Sequence, residues 1–165
     1  MYERIVRQAR RHERSLVAFL RDLIAIRSVS GQEGAAVRRV EAEMEACSYD
    51  EVRVDAMGNV LGRIGSGPRV LALDAHVDTV DVGDPAAWTV DPFLGAERGG
   101  VIYGRGACDM KGALASTVYG GRIIKELGLE GDVTLWVVGS VQEEDCDGLC
   151  WQHILGGGGL RPRPW

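Results

Sequence analysis

Apolar residues at Ile5, Val6, Ala9, Leu16, Phe19, Leu20, Leu23 and Ile24 return to one face every three or four positions, so the spacing predicts an amphipathic helix over 3–26. Ser30, with Glu33 three residues later, has the form of a capping box that opens a second helix through Val37, Val40 and Met44. Val52 and Val54 alternate with polar residues, Met57-Gly58-Asn59 supplies turn chemistry, and 60–64 resumes extended character, which reads as a strand pair. Val70-Leu71-Ala72-Leu73 is an apolar run without alternation, the pattern of a strand covered on both faces. Residues 81–106 are rich in Gly, Pro and Asp, with Trp88, Phe93 and Tyr103 spaced through them, and suggest a long surface excursion held by aromatic anchors. A helix is expected over 110–127, with Leu114, Val118, Ile123, Ile124 and Leu127 inward and Gly128 as its stop, followed by a fully apolar strand at 133–138.

Helices alternating with buried strands predict an α/β sheet whose neighbouring strands are largely parallel. In such sheets, sites form beyond the carboxyl ends of the strands, so the polar residues after the two apolar strands should carry the chemistry. After the first comes Asp74-Ala75-His76-Val77-Asp78. His76 and Asp78 are two apart and in an extended segment leave on the same side, as a metal ligand and its orienting acid require. Taken alone, the triplet is better explained by a structural histidine with a turn-forming aspartate. After the second strand comes Gln142-Glu143-Glu144-Asp145-Cys146-Asp147, four carboxylates in five positions. Crowded ionised carboxylates raise one another's pKa unless a cation neutralises them; a solvated acidic loop fits the composition equally. The third element, Gly104-Arg105-Gly106-Ala107-Cys108-Asp109-Met110-Lys111-Gly112, uses glycines to aim Asp109 from a tight turn, and by itself is also consistent with a helix-capping aspartate.

Taken together, the three have one economical explanation. His76 and Glu144 each serve a different cation, Asp109 bridges both, and Glu143 is left as a free carboxylate beside a metal-activated water.

The strings His76-Val77-Asp78-Thr79-Val80, Trp88 with Asp91-Pro92-Phe93, Tyr103-Gly104-Arg105-Gly106, Asp109-Met110-Lys111-Gly112 and Glu143-Glu144 resemble the M20 metallopeptidase family. Its members include aminoacylases, acetylornithine deacetylases, succinyl-diaminopimelate desuccinylases and glutamate carboxypeptidases. Within it, residues 141–152 look most like a selenium-metabolism-linked hydrolase branch. The resemblance implies a zinc-exopeptidase-like catalytic domain, of which 1–165 would be the N-terminal portion: part of a mostly parallel mixed sheet flanked by helices. It implies two divalent metal ions, zinc first, with cobalt or manganese as alternatives. His76, Asp109 and Glu144 would be ligands, Asp78 the acid that orients His76, and Glu143 the general base. The expected reaction is hydrolysis of amide bonds in N-acyl amino acids or short peptides, and full-length relatives are expected to be homodimers.

Full-length members add a further acidic ligand, a dimerisation domain and a late histidine ligand. Arg161-Pro162-Arg163-Pro164-Trp165 departs from the pattern and looks like truncated or out-of-frame coding. The expected consequence is impaired metal binding and turnover, and the rival expectation is a catalytically silent remnant that serves only structure or subunit interaction. His12, on a charged helix face, is expected to be structural or exposed, and His153, on a helix after the acidic motif, is not expected in the site. A serine hydrolase built from Ser140, His76 and Asp78 lacks a GxSxG elbow.

Composition narrows the remaining classes. The 165 residues are 45% hydrophobic and 26% charged, with a net charge of −5, an ordinary globular balance that argues against nucleic acid as partner. No window reaches the roughly 20 apolar residues of a membrane span, and the N-terminus carries charges where a signal peptide has its apolar run. A cytoplasmic location is the resulting expectation. Cys47, Cys108, Cys146 and Cys150 show no CxxC spacing and read as reduced thiols.

Overall fold

A computed structural model describes residues 1–146, 148–157 and 160. The chain runs α1 (Tyr2–Ala25), α2 (Gly34–Ala46), β1 (Glu51–Val54), β2 (Val60–Ile64), β3 (Arg69–His76), β4 (Ala96–Arg98), β5 (Val101–Tyr103), α3 (Lys111–Leu127), β6 (Val133–Ser140), α4 (Glu143–Cys146) and α5 (Leu149–Gly156). The main sheet has the order β1-β2-β6-β3, and β4 and β5 form a separate ribbon.

The sheet is mixed and flanked by helices, as the resemblance implies, whereas the largely parallel pairing read from the pattern is not met: among the described residues, two of the three strand pairs in the main sheet are antiparallel. Parallel pairing is confined to β3 and β6, in register from Arg69 with Val133 to His76 with Ser140. β1 with β2 is antiparallel because the turn at 55–59 closes a hairpin, and β2 with β6 is antiparallel as well. In that turn Asp55 Oδ1 accepts the amides of Met57, Gly58 and Asn59, each at 3.0 Å.

The three long helices cover one face. Phe19, Leu23 and Ile24 of α1, Val40 and Met44 of α2, and Leu114 and Val118 of α3 join Ile64, Ala75 and Val137 in one core. Each is an apolar stripe at helical spacing, and its burial supplies the main driving force for docking. The first turns of α1 run past this core: Ile5 is exposed, and His12 is the first buried residue. The opposite face carries a smaller cluster, Leu61, Trp136, Val138, Ile154 and Leu160, over which Trp151 of α5 donates its Nε1–H to Asp74 at 2.7 Å.

Three local expectations need correction. Among the described residues the run 70–73 is not covered on both faces: β3 is one edge of the sheet, and Val70 and Leu71 are 39% and 50% exposed. An apolar run reports the side chains, whereas covering depends on neighbours that local sequence does not encode. The capping box at Ser30 does not form; α2 begins at Gly34 after Glu33, which makes no side-chain cap bond. Ser30 instead donates to the fully buried Asp78 at 2.7 Å, where an uncompensated carboxylate is far more costly than a solvent-facing helix end. Residues 81–106 are partly ordered into the β4–β5 ribbon. Trp88 anchors that segment through a 3.0 Å bond to the Val82 carbonyl, while Tyr103 is exposed.

Candidate metal centre

The carboxyl ends of the two parallel strands deliver the site. β3 ends on His76, and the ladder continues one step, Val77 N to Ser140 O at 2.8 Å. β6 ends on Ser140 and turns through Val141 and Gln142 into α4, whose first residues are Glu143 and Glu144. The third arm is the glycine-rich turn before α3. Its glycines are dictated by space: a Cβ on Gly104 would sit 2.4 Å from Ile24 Cγ2, and one on Gly106, at φ +76, 2.6 Å from Thr79 Cγ2. That close approach lets the turn pack on α1 and the 76–79 segment and present Asp109 to His76.

One ligand atom from each of His76, Asp109 and Glu144 lies within 4.8 Å of the others. His76 is buried, with Nε2 3.0 Å from Asp109 Oδ1 and 3.7 Å from Glu143 Oε2. Its Nδ1 lies 2.9 Å from the Asp78 carbonyl oxygen and 3.6 Å from the Asp78 carboxylate. A carbonyl only accepts, so Nδ1 carries a proton and Nε2 is the atom turned toward the acids. Two lone pairs cannot face each other at 3.0 Å, so His76 Nε2 and Asp109 must share either a proton or a cation. Burial pushes the His76 imidazolium toward deprotonation. The Asp78 carbonyl, the Asp109 carboxylate and the charges of Asp78 and Glu143 outweigh it and hold the pKa above the ordinary histidine value. The side chains of Asp109 and Glu143 are 77% and 46% exposed, so the cluster opens to solvent on the side away from the sheet.

Asp78 sits where it can orient His76, but the contact to the imidazole is made by its backbone carbonyl. Its carboxylate accepts from Ser30 Oγ and from the amides of Glu143 and Glu144, at 3.2 and 3.1 Å. Sequence reasoning gave Lys111 no role, yet it is fully buried and donates to the carbonyls of Leu23 and Ile26 at 2.8 and 2.9 Å. The ammonium thus caps the end of α1 and ties it to the Asp109 turn, while burial lowers its pKa to about 8.

The remaining candidates lie elsewhere. His153 faces Asp55 at 3.8 Å. Cys146 is exposed and Cys150 buried, and both are free thiols. Ser140 is fully buried, and among the described residues its hydroxyl makes no bond to His76, so no serine triad forms. Asp147 and residues 161–165, including the divergent Arg161–Trp165 stretch, lie outside the described residues. No helix among the described residues is long and apolar enough to cross a membrane.

The donor set fits a divalent cation. One imidazole nitrogen and carboxylate oxygens suit zinc, cobalt or manganese, and the ion pairs of Asp78, Asp109 and Glu143 all run to the single imidazole of His76. Three acids around one base leave negative charge that a metal would offset.

Residues 72–164 match the model of peptidase family M20/M25/M40. The YgeY protein of Escherichia coli is 50% identical over 161 residues, covering 98% of this chain and 40% of that protein. Succinyl-diaminopimelate desuccinylase of Cereibacter sphaeroides is 36% identical over 137 residues, 80% of this chain and 36% of the enzyme. Among solved structures, human carnosine dipeptidase 1 superposes with a TM-score of 0.77 at 19% identity, over 93% of this chain and 37% of that one. A Bacillus subtilis protein described as a dinuclear metal binding peptidase from the M20 family gives 0.62 at 21%, over 91% and 40%. The chain spans about 40% of the length of the first of these relatives.

Proposed function

The chain belongs to peptidase family M20/M25/M40, and on that premise we propose that it carries the metal-binding part of a hydrolase of amide bonds. The substrates we propose are N-acyl amino acids or short peptides. The observation that carries the reading is the meeting of His76, Asp109 and Glu144 within 4.8 Å at the carboxyl ends of β3 and β6.

In this reading His76, through Nε2, would hold one ion, Glu144 a second, and Asp109 would serve both; zinc is the metal of first choice. A divalent cation held there supplies Lewis-acid polarisation of the scissile carbonyl and makes a bound water acidic near neutral pH. Asp78 holds His76 in one tautomer through its carbonyl and holds the Glu143 and Glu144 backbone through its carboxylate. Glu143 Oε2, 3.7 Å from His76 Nε2 and open to solvent, takes a proton from the attacking water and returns it to the leaving amine nitrogen. We read residues 1–165 as the N-terminal portion of such a catalytic domain, working in the cytoplasm, where free Cys47, Cys108, Cys146 and Cys150 stay reduced.

Calorimetric titration with zinc, cobalt or manganese tests the centre, and an amidase assay with each metal tests turnover. Glu143→Gln should abolish turnover and leave metal affinity nearly unchanged; hydrolysis that survives this change removes Glu143 from the mechanism. A second reading, a structural or subunit-interaction module without turnover, is favoured by the exposed edge at Val70 and Leu71, a strand edge open to pairing. Tight metal binding with no hydrolysis of any N-acyl amino acid or dipeptide would select it.

A further inference from the structure

Four consecutive backbone amides run into and through the acidic pair, and each is bound by a side-chain oxygen from a distant segment. Val141 N donates to Asn59 Oδ1 at 3.0 Å, and Gln142 N to Glu33 Oε1 at 3.0 Å. Glu143 N and Glu144 N donate to the two oxygens of Asp78. The three acceptor residues are almost fully buried, Asn59 and Asp78 completely. They come from the β1–β2 turn, the α1–α2 connection and the segment after β3, 82, 109 and 65 residues from the amides they hold.

We infer that Glu33 and Asn59 are positioning residues for the metal centre, acting through the backbone of 141–144. The inference rests on the metal-centre reading above for its consequence, but the clamp itself is a matter of hydrogen bonds. Glu143 and Glu144 are adjacent yet need different tasks, one as ligand and one as proton carrier, so the direction of each depends on a backbone held in one conformation. That conformation is unfavourable by itself: Gln142 has φ +58, a left-handed value that a non-glycine residue keeps only where its surroundings over-determine it.

The surroundings are built for the purpose. Asn59 is fixed by Nδ2–H donation to Asp55 Oδ2 at 2.9 Å, which leaves Oδ1 aimed at Val141. Ser30, three residues before Glu33, donates to Asp78, so one connection holds the turn directly through Glu33 and indirectly through Asp78. Glu33 directly precedes α2 but makes no side-chain cap bond to it, and in the described residues no arginine or lysine is bonded to its carboxylate, which is turned to the Gln142 amide instead. Its use is to set the turn.

The test compares Glu33→Gln, which keeps the Oε1 acceptor, with Glu33→Asp, which withdraws it by one methylene, and Glu33→Leu, which removes it. Val118→Ala, a buried apolar substitution at a residue that makes no bond to 141–144, serves as a stability control. Two quantities are read on the 165-residue chain: amide hydrogen exchange at 141–144 by NMR, and cobalt affinity from its visible absorption. Glu33→Asp and Glu33→Leu should speed exchange of the Gln142 amide about tenfold, the size of one net hydrogen bond. Both should also weaken cobalt about 10- to 100-fold, as for other groups that orient metal ligands. Glu33→Gln should stay near wild type in both, and Val118→Ala should keep its cobalt affinity.

Unchanged Gln142 exchange in Glu33→Asp, or an equal loss of cobalt affinity in Val118→Ala, overturns the inference. If Glu33→Leu does not fold, the Gln and Asp variants decide it. Wild-type chain that binds no cobalt overturns the metal reading instead, and the exchange data still decide whether the clamp exists.

Discussion

His12 and His76 are both buried histidines set beside carboxylates, and the two neighbourhoods differ in one respect, the supply of cations. His12 on α1 meets Glu126 of α3 at 2.7 Å, while Arg122 donates to the other oxygen of Glu126 at 2.8 Å. Close by, Arg39 pairs with Asp22 and Glu43, and Tyr119 donates to Glu43. Each acid there has a positive or hydrogen-bonding partner, and the network stitches α1, α2 and α3 together. Around His76, Asp78 is held by Ser30 and two amides, but among the described residues the ion pairs of Asp109 and Glu143 run only to the imidazole. Similar residue types therefore make a closed structural network in one place and an open, charge-unbalanced centre in the other. The unbalanced one is where chemistry is expected.

The sharpest way to break this comparison is to exchange its histidines for alanine. His76→Ala should cost more than about 100-fold in zinc or cobalt affinity, since losing a ligand exceeds the loss of a group that only orients one. His12→Ala should leave affinity unchanged, and calorimetric titration of both variants measures the contrast. Equal losses would remove the distinction.

Metal should then act on the stability of one region only. At a free concentration 100 times its dissociation constant, zinc should raise unfolding free energy by about 2.7 kcal/mol, a gain reversed by a chelator and absent in His76→Ala. Urea titration of wild type and variant reads it.

Glu126→Leu attacks the balanced network. It leaves His12 and Arg122 without their shared acid and should lower stability by about 1–3 kcal/mol, with metal affinity intact. A loss of metal affinity comparable to that of His76→Ala would show the two regions to be coupled.

The smallest effect is in pH, where the regions carry opposite signs. His76 has a raised pKa, so in the metal-free chain its contribution is complete below about pH 6.5 and is lost as pH rises through the higher folded value. The same proton competes with metal, so affinity should fall about tenfold per pH unit below that folded value. At Glu126, burial pushes the carboxyl upward, but hydrogen bonds from Arg122 and His12 outweigh it and the pKa is lowered. Its contribution is present above about pH 4.3 and lost as pH falls through the lower folded value. Urea midpoints across pH should lose the first dependence in His76→Ala and the second in Glu126→Leu.

Much of this was legible in the chain itself. The periodicity of α1 and α3 and the hairpin turn at 55–59 required no coordinates, and the polar residues after two apolar strands together with the glycine-rich turn before α3 marked His76, Asp109 and Glu144 as candidates, each of which taken alone also had a structural explanation. Other features were misread because a local pattern has more than one use. Ser30 and Glu33 have the spacing of a capping box, but both side chains are drawn to groups 48 and 109 residues away. Asn59 reads as a turn residue and is one, yet its oxygen serves Val141. His12 reads as structural or exposed, and the first holds: α3 packs against that turn and supplies Glu126.

Sequence alone determined the three long helices, the strands of the main sheet and which residue types could bind a cation, since side-chain periodicity and ligand chemistry are properties of near neighbours and single groups. Tertiary structure alone decided that β3 would be an edge, that one histidine would find a balanced acid and the other an unbalanced cluster, and that the four amides of 141–144 would be held from three directions. Those outcomes depend on which segments cross in space, and burial makes each polar group there depend on whichever partner the crossing supplies.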